Sequence, residues 1–279
     1  MTLRQTYLKI PLLLLLGLSV LAGCADLSAI KEFANISSQS ADYTALVNEY
    51  VAFPSRQKRY MPVSQHTHLT QIAADREIQK ERLLLRLKLI DEYMQALGHL
   101  AADDLVNYDT RIDALGKAVS DNKFADPQET GAFADMAKVL TRAATDAWRK
   151  NKIKELVEAA NGPLQIVIKN LKQVVDEGFG GDTETEKATV QTYYRTLVMK
   201  SADPAGIEAV KEWEEVRLAR ITERQNSIRT YSQILTKISE AHQKLYDNRH
   251  EITSKILLSQ IQQYAKDLGK LYKDIKSIL

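Results

Sequence analysis

The chain has 279 residues and a nearly balanced charge, with 38 Lys and Arg, 36 Asp and Glu, and a formal net charge of +2. Such a balance leaves no basic stripe able to neutralise a run of phosphates, so nucleic acid is not expected as a partner. The single cysteine excludes a disulfide within the chain.

Residues 1–23 have the layout of a secretory signal peptide. Arg4 and Lys9 give a positive start, an apolar core extends to Leu21, and two small residues precede Cys24. The apolar core is shorter than the roughly 20 residues that a membrane-spanning helix needs. A permanent transmembrane anchor is therefore not expected.

The four residues Leu21-Ala22-Gly23-Cys24 resemble the lipobox of bacterial lipoproteins. The resemblance implies that the signal peptide is cut before Cys24, which then carries a diacylglyceryl thioether and an amine acylated, for instance, with palmitate. Several acyl chains hold a protein at a membrane stably. Ala25 rather than Asp follows the cysteine, which in such lipoproteins favours the outer membrane. We therefore expect a lipid-anchored protein that faces the periplasm.

The remainder of the chain is predicted to be all-α, because apolar residues recur at helical spacing and no stretch alternates over a strand's length. Residues 24–27 would form a lipidated tether and 28–279 an elongated helical bundle, with a sub-boundary near 178–183 left open. The predicted helices are 28–52, 64–100, 102–120, 127–160, 163–177, 184–200, 204–247 and 250–279.

Prolines and glycines mark where these helices begin and end. Asp126-Pro127 and Asp203-Pro204 each combine an N-cap acid with proline in the first turn. Phe53-Pro54 and Gly178-Phe179-Gly180-Gly181 are predicted as stops or loops, which would expose Phe179. Asn161-Gly162-Pro163 is consistent either with a kink in one helix or with a tight turn.

The C-terminal segment has an apolar seam typical of coiled coils, and its residues step by four and three: Leu257, Ile261, Tyr264, Leu268, Leu271, Ile275 and Ile278. A similar repeat runs upstream, with His242 at a position where an apolar residue is due. We predict a hairpin that turns near Asp247-Asn248 rather than one long helix. His242 is predicted to be a core histidine with satisfied hydrogen bonds.

Chemistry-bearing motifs are few. His66 and His68 form an H-x-H pair that could bind a metal, but the next carboxylates are those of Asp75 and Glu77, and a solvated loop is the simpler interpretation. No nucleophile, base or cofactor motif is recognisable, so no cofactor is expected. The basic segment 56–60 could meet anionic lipid headgroups or could be a solvated loop.

The patterns favour a lipid-anchored helical scaffold or adaptor of the bacterial envelope that binds a partner protein and is not an enzyme. One alternative is a carrier that holds lipid or another apolar ligand between helices, lined by the Leu-rich second helix and by Ile166-Val167-Ile168. A second alternative is a metal-dependent enzyme that uses His66 and His68.

Overall fold

A computed structural model describes residues 27–41, 43–102, 127–145 and 152–278. These parts of the chain are helical almost throughout and contain no strand, which confirms the all-α prediction. The helices in chain order are α1 (Ser28–Ala41), α2 (Thr44–Gln57), α3 (His66–Ala102), α4 (Pro127–Thr145), α5 (Ile153–Gln173), α6 (Gly180–Lys200), α7 (Pro204–Asp247) and α8 (Lys255–Ile278).

The main core lies between α1, α3, α4, α5, α7 and α8, and each of these helices contributes an apolar stripe to it. Fully buried members include Phe33, Leu97, Leu164, Leu235 and Leu268. Burial of one such side chain stabilises the fold by roughly 1.5 to 3 kcal/mol. The bundle is therefore held mainly by helix-to-helix apolar packing.

The hairpin prediction for the C-terminal part is confirmed. Helix α7 ends at Asp247, a short 3-10 turn (Arg249–Glu251) follows, and α8 returns along α7. Asn248 closes the end of α7, since its backbone N–H and its side-chain amide both donate to the carbonyl of Lys244. The predicted cap at the other end of α7 is also confirmed, because the Asp203 carboxylate accepts hydrogen bonds from two backbone N–H groups of the first turn.

The prediction of one helix over 28–52 is wrong, because α1 ends at Ala41 and α2 begins at Thr44. The break is stabilised by Tyr231 of α7. Its hydroxyl donates to the freed carbonyl of Ala41 at 2.9 Å, and its ring stacks on that of Tyr43 with a centroid distance of 5.2 Å. A tertiary contact from α7, which the local sequence cannot indicate, thus separates the two helices.

Two prolines lie inside helices, which contradicts the stop or loop predicted at Pro54 and, at Pro163, supports one helix rather than a tight turn. Pro54 is part of α2, which continues to Gln57, and Pro163 is part of α5. A residue before proline is normally pushed out of the α region by its own Cβ, but Gly162 has none. The adjacent Asn161 is buried and bonded to α7 through His242, which holds this turn in place.

The loop predicted at Gly178-Phe179-Gly180-Gly181 is also wrong. A π-helical turn (Val174–Phe179) joins α5 to α6, so the helix continues through the segment where a sub-boundary was left open. Phe179 is not exposed: it is buried and stacked on Tyr50, with ring centroids 4.5 Å apart. A π-turn rotates the following residues relative to a regular α-helix, and it lets Phe179 reach Tyr50.

Some predictions fall outside the described residues: the signal peptide, Cys24, most of the helix at 102–120, and the Asp126 cap. The helix predicted at 127–160 is observed as α4, which ends at Thr145, and as the start of α5 at Ile153. Within the residues that are described, no helix combines the length and the apolar character needed to cross a membrane.

The two ends of the bundle can be assigned from contacts. At the end of α1, the carbonyl of Ala41 accepts a hydrogen bond from Tyr231 of α7. One turn earlier, Ser38 donates a hydrogen bond to Asp91 of α3. Two residues further along α3, Tyr93 is bonded to His242, which lies nearer the end of α7. Helix α1 therefore runs opposite to α7 and begins near the α7–α8 turn. The α6–α7 turn lies at the opposite end, and the part of α7 from Pro204 to Tyr231 spans about 40 Å at about 1.5 Å per residue.

Candidate functional site

The two histidines considered as metal ligands lie at the start of α3. A ring nitrogen of His66 lies 3.1 Å from the carbonyl oxygen of Met61, which orients the ring toward the preceding turn, and the side chain of His68 is exposed. Among the described residues, no group of three or more His, Cys, Asp or Glu side chains is arranged to hold a metal ion. The structure does not bring other ligands to this pair.

His242 is a core histidine with satisfied hydrogen bonds, as predicted. Its Nε2 lies 2.5 Å from the Tyr93 hydroxyl, and its Nδ1 lies 2.9 Å from Oδ1 of Asn161. Asn161 donates from its amide nitrogen to Gln243, so its oxygen faces the histidine and accepts a hydrogen bond from the Nδ1–H group. Burial lowers the pKa of His242 to about 3, and the imidazole is neutral.

The apolar residues considered as the lining of a ligand cavity are core residues. On α3, Leu83, Leu87, Ile90 and Leu97 pack into the main core. On α5, Val167 and Ile168 do the same, and Ile166 packs against them from a half-buried position. Their apolar surface is thus occupied by other side chains of the bundle.

A surface groove of about 730 Å³ lies between α1 and α8. Four lysines line it: Lys31, Lys266, Lys270 and Lys273. The same groove contains Glu32 and several amide and small side chains. The groove carries charged side chains and is open to solvent, which differs from the enclosed apolar cavity that typically holds a lipid chain.

The α6–α7 hairpin extends beyond the main core as an arm with a small core of its own. Val190, Tyr194 and Ile221 are buried there, and Tyr60 packs on this cluster from the turn after α2. Tyr60 meets Tyr193 edge to face, with ring centroids 5.3 Å apart. Burial raises the pKa of the Tyr60 hydroxyl, an effect that exceeds the opposing hydrogen bond from Arg59. We refer to residues 188–218 as the hairpin arm.

The hairpin arm exposes large apolar side chains. Trp213 and Val216, one turn apart on α7, are 58% and 47% exposed, and Met199 near the end of α6 is 77% exposed. An exposed tryptophan is uncommon on a surface that makes no contacts, because Trp is among the residues most enriched at protein interfaces. The sequence analysis missed this site, since the spacing of Trp213 does not reveal its exposure.

Ion pairs fasten the base of the hairpin arm to the bundle. The N–H groups at Nη1 and Nη2 of Arg76, on α3, donate to the two carboxylate oxygens of Asp182. The guanidinium carbon of Arg76 also lies over the ring of Tyr50, 4.1 Å from its centroid. Burial raises the pKa of Asp182, while Arg76 acts in the opposite direction. Glu186, also buried, lies within ion-pair distance of Arg56 and Arg224. These ion pairs therefore hold Asp182 and Glu186 of α6 in fixed positions.

A cleft of about 360 Å³ lies where the end of α2 meets α6 and α7, and we call it the arginine cleft. The carboxylate of Glu186 lines this cleft together with five arginines, which are Arg56, Arg59, Arg217, Arg220 and Arg224. The three arginines of α7 are spaced by three and four residues, which places them on one face of the helix. The basic segment 56–60 supplies the remaining two.

The charges of the arginine cleft are not balanced within the described chain. Glu186 and Glu49 pair with Arg56 and Arg224. Arg59, Arg217 and Arg220 make no ion pair with a carboxylate in the part of the chain that the structure describes. Glu214 and Glu223, three residues away from Arg217 and Arg220 on α7, form no such pair either. The cleft thus concentrates three unneutralised guanidinium groups.

No family model, no curated protein and no solved structure matches this chain.

Proposed function

We propose that the protein is a lipid-anchored helical adaptor of the bacterial outer membrane, that it faces the periplasm, and that it binds a partner protein through the hairpin arm. The observation that carries the proposal is the exposed Trp213 on a helical arm that extends beyond the main core. The lipobox at Leu21-Ala22-Gly23-Cys24 supports the anchor.

The arrangement of the two ends suits this role. Ser28 begins α1 four residues after Cys24, and four residues span at most about 14 Å. The bundle would therefore sit close to the membrane at the end where α1 begins. The hairpin arm lies at the other end, where it would reach a partner in the periplasm.

The hairpin arm also has the energetic features of a docking element. Its small core and the ion pairs of Asp182 and Glu186 hold the arm in one orientation before binding. A rigid surface loses little conformational entropy when it binds, so more of the contact energy becomes affinity. Trp213 would supply the central apolar anchor of the interface.

The carrier and the metal enzyme remain the alternative functions. The adaptor is favoured over the carrier because Leu83, Leu87 and Val167 are already packed in the core. It is favoured over the enzyme because the structure brings no further ligand to His66 and His68, as far as the described residues extend.

Affinity capture of the intact lipoprotein from cross-linked envelopes tests the adaptor. The wild type should recover a discrete partner protein, which mass spectrometry identifies. Trp213→Ala should reduce its recovery at least about tenfold, because loss of a central aromatic residue costs about 2 kcal/mol or more of binding free energy.

Ile78→Ala is the matched control, since Ile78 is an exposed apolar residue of α3 outside the hairpin arm. Thermal melts should show both variants folded. Equal recovery from wild type and Trp213→Ala would contradict docking through the arm. Recovery of no partner by the wild type would contradict the adaptor itself.

A further inference from the structure

The arginine cleft needs an explanation that the adaptor function does not supply. Like charges that converge in a confined cleft repel one another, and partial burial strengthens the repulsion. The two arginines nearest the end of α2, Arg56 and Arg59, have a local reason to be there, since cations stabilise the C-terminal end of a helix. That reason does not apply to Arg217 and Arg220, which lie inside α7.

The geometry divides the five arginines into two sets. Arg56 and Arg224 are fixed by Glu186, whose carboxylate is buried between them. Arg59, Arg217 and Arg220 form no ion pair with a carboxylate within the described chain, and the buried apolar residues Val190 and Ile221 also line the cleft. A cleft with a buried apolar lining, a fixed inner pair and three guanidinium groups that no carboxylate neutralises is prepared for an anion.

We propose that the arginine cleft binds a phosphoryl group, held by Arg59, Arg217 and Arg220. A phosphomonoester or inorganic phosphate carries close to two negative charges at neutral pH and presents several acceptor oxygens. Guanidinium groups match such oxygens with paired N–H donors. The cleft volume of about 360 Å³ lies at the small end of the range for ligand sites, so the group bound directly is small.

The position of the cleft bears on the source of the phosphoryl group. Residues 217–224 lie at the base of the hairpin arm, whereas α1 begins at the opposite end of the bundle. The cleft is therefore far from the anchoring bilayer, which favours a soluble phosphate compound over a headgroup of that membrane. The basic segment 56–60, considered as a headgroup contact from the sequence, belongs to this distant site.

Thermal melts of the full mature lipoprotein in neutral-lipid nanodiscs, titrated with inorganic phosphate, test the proposal. Phosphate should raise the melting temperature in a saturating manner, and sodium chloride at equal ionic strength should not. The double variant Arg217→Gln/Arg220→Gln should weaken the apparent Kd for phosphate at least about tenfold. Without phosphate, this variant should melt at or above the wild-type temperature, because charge repulsion is relieved.

The matched control is Arg195→Gln, which makes the same type of substitution once, at an exposed site on α6 outside the cleft. It should leave the phosphate response unchanged. Equal phosphate dependence in wild type and double variant, or an equal effect of chloride, would overturn the proposal. So would a double variant that melts below the wild type without phosphate, since the arginines would then serve the fold.

A second set of measurements distinguishes the sources of the phosphoryl group. Thermal melts of the lipoprotein in phosphatidylcholine nanodiscs, with and without phosphatidic acid, detect binding to a lipid phosphate as a rise in melting temperature. Binding that the double variant loses and Arg195→Gln keeps supports a lipid source, whereas a response to inorganic phosphate alone supports a soluble one. Binding lost equally in both variants would overturn the site. These outcomes do not depend on whether the hairpin arm binds a partner.

Discussion

Arg76 of α3 and Asp182 of α6 form a two-point ion pair across 106 residues of sequence, with both components largely buried. The pair fastens the base of the hairpin arm to the bundle beside the stacked rings of Tyr50 and Phe179. A partly buried charge that loses its partner is destabilising, because the remaining group is left desolvated without compensation.

Arg76→Ala should therefore lower the free energy of unfolding by about 2 to 3 kcal/mol. Chemical denaturation of the mature domain measures it. The matched control is Lys211→Ala, which removes the exposed pair with Glu208 and should change stability by less than about 1 kcal/mol. Equal effects of the two substitutions would show that the Arg76 pair has no special role.

A second prediction concerns acid stability and rests on His242. Its pKa is lowered to about 3 in the folded protein, from an ordinary value of 6.5, because burial disfavours the charged form. The unfolded chain therefore binds the proton more tightly between these pH values, and stability falls as the pH falls through this window. Between pH 7 and pH 5 the loss from this residue should be about 2 kcal/mol.

Denaturation curves at pH 7 and pH 5 measure this loss, and His242→Gln provides the comparison. The variant should be less stable at pH 7, because the bonds to Tyr93 and Asn161 are disturbed, but it should lose less stability on acidification. An identical pH dependence in the variant would exclude His242 as the source.

A third prediction tests the apolar seam of α8. Leu268 is fully buried against the bundle, so Leu268→Asp would place an unpaired carboxylate in the core. Destabilisation of about 4 kcal/mol or more is expected. Gln262→Asp, on the exposed side of the same helix, is the control and should have little effect. If the Leu268→Asp protein melted at the wild-type temperature, Leu268 would not belong to a buried apolar seam.

Where the predictions from sequence succeeded, the deciding signal was local. Asp203-Pro204 and Asp247-Asn248 marked the two ends of α7 because capping and turn residues act on the backbone next to them. Where they failed, a distant contact overrode the local preference. Phe179 is held by Tyr50 of α2, and the break after Ala41 is held by Tyr231 of α7.

The candidate sites show the same division. The spacing of Arg217, Arg220 and Arg224 places three cations on one face of a predicted helix, a signal that is present in the sequence alone. That Arg56 and Arg59 face the same cleft depends on how α2 packs, which spacing cannot show. The exposure of Trp213 likewise depends on where the main core ends.

A fourth prediction concerns the anchor. Cys24→Ser should abolish incorporation of a labelled fatty acid into the protein, because the serine hydroxyl cannot form the thioether that the lipobox resemblance implies. Metabolic labelling followed by immunoprecipitation measures this. The variant should accumulate as precursor or as a form released from the membrane. If the variant and the wild type incorporated equal amounts of the labelled fatty acid, Cys24 would not be the lipidation site.

In the proposed adaptor function, the hairpin arm is the surface that binds a partner protein. This can be measured by placing a photoreactive amino acid at position 213 or at position 78 in the otherwise wild-type protein and comparing the adducts formed in living cells. We expect one discrete protein adduct from position 213 and none of the same mass from position 78. No adduct from position 213, or the same adduct with equal yield from both positions, would contradict it.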